Sequence, residues 1–388
     1  MSKVKKIPIS KKVESLAPSG IRTFFDLVLG MKDVISLGVG EPDFMTPWNI
    51  REKAIYSMEQ GYTSYTSNKG MLELRREISR FLTKRHNLAY DPENEILITV
   101  GVSEGLDLVM RAILNPGDKV LIPEPSYVSY GPVVDLAGGE PIFVKTDIKN
   151  NFKITPRQIE AACDKNVKAL LINYPCNPTG VSYTKQELKE IAKIAVKHNI
   201  FIVSDEIYDE LTYDFDHTSL ASFSGMHERV IYLNGFSKSY AMTGFRIGYA
   251  CAPRYVIDAM TKIHQYTMLC ASITAQIAAV EALQNGFKEV AQMKREYNRR
   301  RRFIVDGLNE IGLKCHNPQG AFYVFPSIQN TKKSSLEFAK GLLEKKKVAV
   351  VPGVAFGPSA EGYVRISYAS SFENLKEALA RMASYLGR

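Results

Sequence analysis

Lys238 and Arg246 stand eight residues apart in the stretch 237–246, on either side of a small Thr-Gly pair. A lysine can form a Schiff base with an aldehyde when burial or nearby cations lower its pKa. An arginine is the preferred partner of a phosphate because its guanidinium group presents a planar fork of donors. Together the two residues indicate a cofactor that carries both an aldehyde and a phosphate, and pyridoxal 5′-phosphate (PLP) is such a cofactor.

The segments that flank this stretch favour a buried site over a surface loop. Residues 230–234 have the pattern of a buried strand that runs into Lys238, and residues 247–252 are apolar again. Burying a lysine between two such strands costs free energy unless the site uses its charge or its amine. The Lys/Arg pair alone leaves the surface-loop interpretation open, because such pairs are common by chance.

The length and charge of the chain limit its class. A chain of 388 residues is long enough for one large α/β domain and a smaller one. The net charge is +9, with residues of both signs scattered along the chain. The densest basic run, residues 299–302, would sweep roughly 300° around a helix, so it cannot form one binding face. We therefore expect this run to be solvated, and we expect no nucleic-acid partner.

Cysteine usage and hydropathy indicate a cytoplasmic protein without a metal. The chain has five cysteines and no Cys-x-x-Cys pair, which favours reduced thiols over disulfides or zinc. The six histidines show no spacing typical of metal ligands. Residues 1–12 are basic but lack the apolar core of a signal peptide, and no segment approaches the length of a membrane span.

From Glu95 onward, strand and helix patterns alternate, and polar residues follow the ends of several strands. We predict strands at 96–100, 119–122, 168–173 and 200–203, which run into Gly101-Val102-Ser103, Tyr127, Asn177 and Asp205. This alternation is typical of a mostly parallel sheet with a site at its carboxyl edge. Ser103 is predicted to be the N-cap of a helix whose free backbone N–H groups could bind an anion.

The remainder of the chain is predicted to contain a helical stretch and a smaller α+β unit. Residues 252–311 are mostly helical, with a break at Gly286 before a long helix. Strands at 322–325, 348–351 and 363–367 and helices at 334–345 and 373–386 follow. We expect the N-terminal arm to pack with this unit. The predicted parts are the arm at 1–45, a large PLP-binding domain at 46–286 and the small C-terminal domain at 287–388.

Four motifs stand in a fixed order, namely Asn177-Pro178-Thr179-Gly180, Asp205-x-x-Tyr208, Ser237-Lys238 and Arg246. In order and spacing the chain resembles the PLP-dependent aminotransferases of class I/II, fold type I. The resemblance covers nearly the whole chain, from Gly20-Ile21-Arg22 to Arg365-Ile366-Ser367-Tyr368. It is greatest to the bacterial and archaeal branch of aromatic and N-acetyl-L,L-diaminopimelate aminotransferases. It implies an α/β fold, with a large domain on a mostly parallel seven-stranded sheet and a smaller discontinuous α+β domain.

The resemblance implies roles for five residues around the cofactor ring. Lys238 would carry PLP as a Schiff base and would then move a proton between substrate and cofactor. Asp205 would keep the pyridine nitrogen protonated, and Tyr208 and Asn177 would bond the phenolic oxygen. Tyr127 would stack on the ring. Read without the resemblance, Asp205 is better explained as a helix N-cap, and Tyr127 could be a core tyrosine.

The resemblance places the phosphate at the N-terminus of the helix after the first strand of the sheet. Val102 and Ser103 would donate backbone N–H groups, and Arg246 would supply the cation. Some relatives place a serine three residues before the lysine as another phosphate ligand, whereas this chain has Gly235 there. Ser237 could replace that serine.

Substrate contacts and a shared dimer site also follow from the resemblance. Arg365 corresponds to the arginine that grips the α-carboxylate, with Asn177 and the backbone of Gly40 beside it. Tyr65 matches a tyrosine that relatives donate to the neighbouring subunit's phosphate, which implies a homodimer. Lys69 stands where relatives often have a small or apolar residue. It could reach a negative group at the far end of a substrate, or it is a solvated surface lysine.

These inferences predict a cytoplasmic, homodimeric aminotransferase (EC 2.6.1.-) with a ping-pong mechanism. An L-amino acid, either aromatic or of diaminopimelate type, would give its amino group to PLP. A 2-oxo acid, with 2-oxoglutarate the first choice, would take the group away. Two alternatives remain: a PLP-dependent C–S β-lyase that acts on cystathionine-like substrates, and a PLP-binding regulator without turnover. No membrane partner is expected.

Overall fold

The structure is a computed structural model, which describes residues 7–18, 20 and 31–388. The Gly20-Ile21-Arg22 motif lies outside these residues, apart from Gly20 itself. A short helix, α1 (Lys11–Ser15), stands near the start of the described chain. No helix within the described ranges is long and apolar enough to pass through a bilayer.

Seven strands form the central sheet, in the spatial order β2-β8-β7-β6-β5-β3-β4. They are β2 (Ile96–Thr99), β3 (Lys119–Glu124), β4 (Glu140–Lys145), β5 (Val167–Asn173), β6 (Phe201–Asp205), β7 (Val230–Gly235) and β8 (Gly248–Cys251). Of these seven, β8 alone runs in the direction opposite to the other six. The predicted mostly parallel, seven-stranded sheet is therefore confirmed.

Alternate residues of the middle strands face opposite sides of the sheet, and helices cover both sides. In β5, Leu170 packs in a core that includes residues of α7 (Lys185–His198). The next residue, Leu171, faces a second core formed with α4 (Gly101–Ile113) and α8 (Arg254–Thr267). A strand that is covered on both sides needs apolar residues at successive positions. This requirement explains the nearly continuous apolar run from which the strand at 168–173 was predicted.

The other helices of the large unit pack around this sheet or beside it. They are α2 (Trp48–Glu59), α3 (Leu72–His86), α5 (Tyr130–Leu136), α6 (Pro156–Ala162) and α9 (Ile273–Asn285). Four apolar residues of α3, Leu74, Ile78, Phe81 and Leu82, are buried in the core. The predicted strands of the sheet agree with the observed bounds to within two residues.

A smaller unit follows Gly286, which separates α9 from the long helix α10 (Phe287–Glu310). It contains the antiparallel strands β9 (Tyr323–Val324), β11 (Val351–Pro352) and β12 (Val364–Ser367), the short strand β10 (Val348–Ala349), and the helices α11 (Ser335–Lys346) and α12 (Phe372–Tyr385). The segment predicted as one strand at 348–351 is thus two short strands.

The N-terminal arm joins this smaller unit through a strand. In the arm, β1 (Ile35–Ser36) pairs in parallel with β10, and the Leu37 carbonyl accepts a hydrogen bond from the Ser367 N–H. The small unit is therefore built from both ends of the chain, as predicted. The boundaries at 45/46 and 286/287 stay a prediction.

The prediction that residues 299–302 form a solvated basic run is wrong for two of the four arginines. Arg300 is buried, and its Nη1 atom lies 2.8 Å from the Asp43 carboxylate. Arg301 is also buried and forms a two-point ion pair with Asp214, with N–O distances of 2.6 and 2.7 Å. Residues one step apart on a helix differ by about 100°, so part of the run faces the protein whichever way α10 packs.

We expect Arg301→Ala to lower the free energy of unfolding by about 1.5–3 kcal/mol. The substitution removes the pair with Asp214 and leaves the buried Pro318 carbonyl without its 2.6 Å hydrogen bond from Arg301. Urea denaturation followed by circular dichroism measures the loss. The control is Arg302→Ala, which removes an exposed neighbour and should change stability by no more than about 0.5 kcal/mol. Equal effects of the two substitutions would contradict a structural role for Arg301.

Candidate active site

A cleft of about 1500 Å³ lies at the carboxyl edge of the central sheet and collects most of the predicted site residues. Those that line it are Gly40, Val102, Ser103, Tyr127, Asn177, Asp205, Tyr208, Ser237, Lys238, Arg246 and Arg365. The carboxyl ends of β5, β6 and β7 are neighbours in the sheet, and the arm and β12 reach the cleft from the smaller unit. Tyr65 is the one predicted site residue that does not line this cleft, and it is 81% exposed.

Lys238 follows β7 and points into the cleft beneath the N-terminal arm. Its Nζ atom donates a hydrogen bond of 2.7 Å to the carbonyl oxygen of Gly40. Burial is the main cause that lowers the pKa of Lys238 to about 8, the charges of Arg365 and Arg246 act in the same direction, and Glu41 opposes them. An amine with such a pKa is partly neutral near physiological pH, and the neutral amine is the form that attacks an aldehyde.

Asp205 ends β6 as a buried carboxylate that has no cationic partner within 4 Å among the described residues. Burial raises the pKa of Asp205 to about 6, although the hydroxyl of Tyr130 donates to its Oδ2 atom at 2.7 Å. The alternative of a helix N-cap is wrong, because only a short 3₁₀ turn, Asp209–Leu211, follows. A buried carboxylate aimed into a cleft fits a protonated ring nitrogen, as PLP would provide.

Tyr208 and Asn177 each contact a residue of the smaller unit. The hydroxyl oxygen of Tyr208 lies 2.9 Å from the hydroxyl oxygen of Tyr323. The side-chain oxygen of Asn177 accepts a 2.8 Å hydrogen bond from Arg365, and its backbone N–H donates to Asn173 at 2.8 Å. Tyr127 lines the cleft and meets the Tyr130 ring edge-on, with 5.6 Å between centroids.

The start of α4 differs from its prediction in a way that affects the anion site. The helix begins at Gly101, so Ser103 lies in its first turn and is not the N-cap. Gly101 has φ of +73°, a conformation that glycine adopts at little cost, and it turns the strand directly into the helix. The backbone N–H groups of the first turn have no partner within the helix, and Arg246 lies beside them. A methyl group on Gly101 would be 2.8 Å from an Arg246 nitrogen.

This pair of an open helix terminus and an adjacent guanidinium fits a phosphate. Gly248 allows the helix to come so close, because a Cβ atom there would lie 2.8 Å from the Gly101 carbonyl carbon. Gly235 has a similar packing reason, since a Cβ atom would lie 2.9 Å from the Gly248 Cα atom. The serine of some relatives at Gly235 therefore has no room here, while Ser237 lines the cleft.

Arg365 is almost fully buried in β12, with 2% of its surface exposed. Its guanidinium donates to Asn177 at 2.8 Å and to the Gly38 carbonyl at 2.5 Å, and its Nε atom has no hydrogen-bond partner in the part of the chain that the structure describes. Among the described residues, no carboxylate lies within 4 Å of it. A buried guanidinium without a counter-ion is costly, and a bound carboxylate would neutralise it.

Two other features lie outside the cleft. The Lys69 amine forms an ion pair of 3.0 Å with Asp258 of its own chain. His86, Asp209 and Glu210 bring possible metal-ligand atoms within 4.8 Å of one another. His86 bonds Asp209 at 3.1 Å and Arg85 bonds Glu210 at 2.7 Å, so both carboxylates already have partners.

Sequence reasoning missed three residues of the site, Tyr130, Asn173 and Tyr323. Asn173 is the last residue of β5, so its place at a strand end was an available signal. Tyr130 stands three residues after Tyr127, at the start of α5, which also placed it near the edge. Tyr323 carried no local signal, because its position depends on how the smaller unit docks.

Comparison with known proteins agrees with this geometry. Residues 32–382 match the family model described as "Aminotransferase class I and II". The chain belongs to the class I and II aminotransferases. It is 56% identical over 378 residues to the Bacillus subtilis (strain 168) protein named "Putative aminotransferase YugH", a match that covers 97% of this chain and 98% of that protein.

Two further relatives of this aminotransferase are named for different donors. The aspartate aminotransferase of Pyrococcus abyssi is 46% identical, over 97% of this chain and 98% of that protein. The crystal structure of the aromatic aminotransferase from Pyrococcus horikoshii OT3 has a TM-score of 0.90 and 44% identity, and covers 95% and 98% of the two chains. The predicted family and fold type are confirmed, and the protein is a transferase enzyme that uses PLP.

In the aminotransferase freed of PLP, acetylation of Lys238 should rise with pH around a midpoint of about 8, because burial lowers the pKa of its amine. An ordinary exposed lysine reacts around a midpoint of ~10.4. Peptide mass spectrometry after brief labelling at a series of pH values measures both in one sample. If the acetylation of Lys238 has the same pH midpoint as that of the exposed lysines, the pKa of its amine is not lowered.

We expect Gly248→Ala to weaken PLP binding at least about tenfold, since the new methyl group would push α4 away from the phosphate position and loosen charge-assisted hydrogen bonds. Absorbance titration of the cofactor-free protein measures the dissociation constant. Gly244→Ala is the matched control, because a methyl group there meets nothing within 4 Å. Wild-type affinity in the Gly248 variant would show that the close approach is not needed.

Proposed function

We propose that this enzyme transfers the amino group of L-amino acids with uncharged side chains, aromatic ones foremost, to a 2-oxo acid in a ping-pong reaction. The observation that carries the proposal is the set of charges in the cleft. The cations among its lining residues are Lys238, Arg246 and Arg365. Each of them already has a proposed role. Lys238 attaches the cofactor covalently, Arg246 binds its phosphate, and Arg365 binds the α-carboxylate of the substrate.

A second carboxylate on the donor would therefore lack a partner among the described lining residues. The other ionisable groups there include Glu41, Glu124 and Asp135, which would repel it. Aromatic and aliphatic side chains such as Phe143 and Phe356 make up much of the rest of the lining. Of the two predicted donor classes, aromatic and diaminopimelate-type, this composition favours the aromatic class, and Lys69 gives the acidic class no support.

The residues of the chain divide the chemistry between them. Bound PLP supplies the electron sink that allows the Cα–H bond of an amino acid to ionise. Arg365 holds the α-carboxylate, and the neutral Lys238 amine takes the proton from Cα. Asp205 would pair with the protonated ring nitrogen of PLP, and Tyr208 and Asn177 would donate hydrogen bonds to its phenolic oxygen. Gly40 of the arm lines the cleft beside the Lys238 amine.

We also infer a homodimer in which Tyr65 reaches the partner's phosphate site. Tyr65 is highly exposed in one subunit and does not line its own cleft. Nearby in sequence, Trp48, Met58 and Tyr62 also expose large apolar surfaces. A group of exposed aromatic side chains is typical of a protein interface.

A donor panel of phenylalanine, tyrosine, alanine, aspartate and N-acetyl-L,L-diaminopimelate tests the proposal. We expect kcat/KM at least about tenfold higher for the aromatic donors than for the acidic ones, because an unpaired carboxylate in the cleft is costly. Each donor is assayed with 2-oxoglutarate and with pyruvate, since 2-oxoglutarate brings a second carboxylate of its own. A preference for either acidic donor overturns the proposal.

Two controls sharpen the panel. Lys69→Ala should leave the order of donors unchanged, because the Lys69 amine is engaged by Asp258. Incubation with cystathionine and a thiol reagent tests the β-lyase alternative, and rapid thiol release without a 2-oxo acid would favour that activity over amino transfer.

A further inference from the structure

Tyr323, in β9, touches both halves of the site. It is fully buried, and its hydroxyl oxygen lies 2.9 Å from the hydroxyl oxygen of Tyr208. Its ring lies against the guanidinium of Arg365, with 4.5 Å from Cζ to the ring centroid. Tyr208 belongs to the cofactor half of the site and Arg365 to the substrate half, so Tyr323 joins them.

We propose that Tyr323 is a positioning residue for the reaction, whose hydroxyl group aims the Tyr208 hydroxyl at the cofactor and whose ring fixes the plane of the Arg365 guanidinium. The inference rests on the proposed roles of Tyr208 and Arg365. It adds a residue from the smaller unit that acts on both.

The hydroxyl contact fixes which way Tyr208 donates. A tyrosine hydroxyl has one proton and can also accept. If Tyr208 gives its proton to the phenolic oxygen of the cofactor, the 2.9 Å contact requires Tyr323 to be the donor to Tyr208. Burial raises the pKa of Tyr323, so its hydroxyl keeps the proton that it must donate. The two rings meet edge-on at 79°, which leaves each hydroxyl in reach of the other.

The ring contact compensates a guanidinium that lacks a counter-ion. Tyr323 lies on Arg365 at 4.5 Å and Phe356 at 4.9 Å, and the faces of aromatic rings attract a cation. Hydrogen bonds to Asn177 and Gly38 hold the edge of the group. A planar fork grips a carboxylate with two parallel bonds only when its plane is fixed, so the rings determine the geometry of the grip.

Gly40 shows that the Tyr323 hydroxyl also packs against the arm. A Cβ atom on Gly40 would lie 2.8 Å from that hydroxyl oxygen, so only glycine leaves the space. The carbonyl of the same residue accepts the bond from Lys238. Tyr323 therefore contacts the arm at the point where the arm meets the lysine.

Two substitutions separate the two roles of Tyr323 in the PLP-loaded enzyme. Tyr323→Phe removes only the hydroxyl, and Tyr323→Leu also removes the ring. Without substrate, the pH dependence of the cofactor's absorbance reports the pKa of the lysine–cofactor linkage. Calorimetry with 3-phenylpropanoate, an unreactive carboxylate without an amine, reports the grip of Arg365.

We expect Tyr323→Phe to raise the linkage pKa by about half a unit or more, because a less well aimed Tyr208 stabilises the phenolate less. Its affinity for 3-phenylpropanoate should stay within about twofold of wild type. Tyr323→Leu should raise the linkage pKa similarly and weaken 3-phenylpropanoate binding about tenfold. If the leucine variant does not fold, Tyr323→Met takes its place.

The control is Tyr213→Phe, which removes a tyrosine hydroxyl outside the cleft. The Tyr213 ring also lies against an arginine, Arg301, at 4.9 Å, and its hydroxyl bonds the Ala321 carbonyl. This variant should change neither the linkage pKa nor 3-phenylpropanoate binding.

An unchanged linkage pKa in Tyr323→Phe overturns the role of the hydroxyl. Unchanged 3-phenylpropanoate affinity in Tyr323→Leu overturns the role of the ring. Arg365→Lys distinguishes failure of the underlying assignment: if that variant binds 3-phenylpropanoate as wild type does, Arg365 is not the carboxylate site. The donor preference is read from the wild-type panel alone and can fail while these results stand.

Discussion

Desolvation of ionisable side chains is the constraint on which this site depends. Among the described residues, the Lys238 amine, the Asp205 carboxylate and the Arg365 guanidinium in the cleft have no oppositely charged group as a direct partner. Lys238 has a backbone carbonyl, Asp205 a phenol, and Arg365 an amide and a carbonyl. Such groups are costly to bury. The cost is offset when a bound ligand supplies the opposite charge. A protonated ring nitrogen would do so for Asp205, and a substrate carboxylate would do so for Arg365.

The site is assembled from two parts of the fold that meet over the sheet edge. The large unit supplies Asp205 and Lys238 at the ends of neighbouring parallel strands, while the small unit supplies Arg365 and Tyr323. Pairing of β1 with β10 holds the arm above them. The contacts between the arm and the small unit therefore also stabilise the site. Gly38 and Gly40 belong to the arm, and their carbonyl groups reach Arg365 and Lys238 only when the arm is in place.

Much of this arrangement could be predicted from the sequence, for physical reasons that particular residues illustrate. Asn177 and Asp205 follow apolar runs that could only be buried parallel strands, and the carboxyl ends of such strands meet at one edge. Ser103 was placed wrongly as a cap, because the positive φ of Gly101 starts the helix three residues earlier. Arg300 and Arg301 were predicted to be solvated, since sequence spacing does not reveal which side of a long helix meets Asp43 and Asp214. Tyr323 could not be predicted, because it contacts Tyr208 only through the packing of the smaller unit against the large one.

The glycines at 235 and 248 face each other across β7 and β8, and together they limit how this enzyme could be redesigned. A side chain on Gly235 meets the backbone of β8, and one on Gly248 meets the start of α4. Neither position can gain even a methyl group unless the facing segment moves. The backbones of β7, β8 and the start of α4 are therefore in direct contact at these two glycines. An engineer who wants tighter cofactor retention cannot graft the serine of other relatives at 235, and has to work from the loop at Ser237 instead.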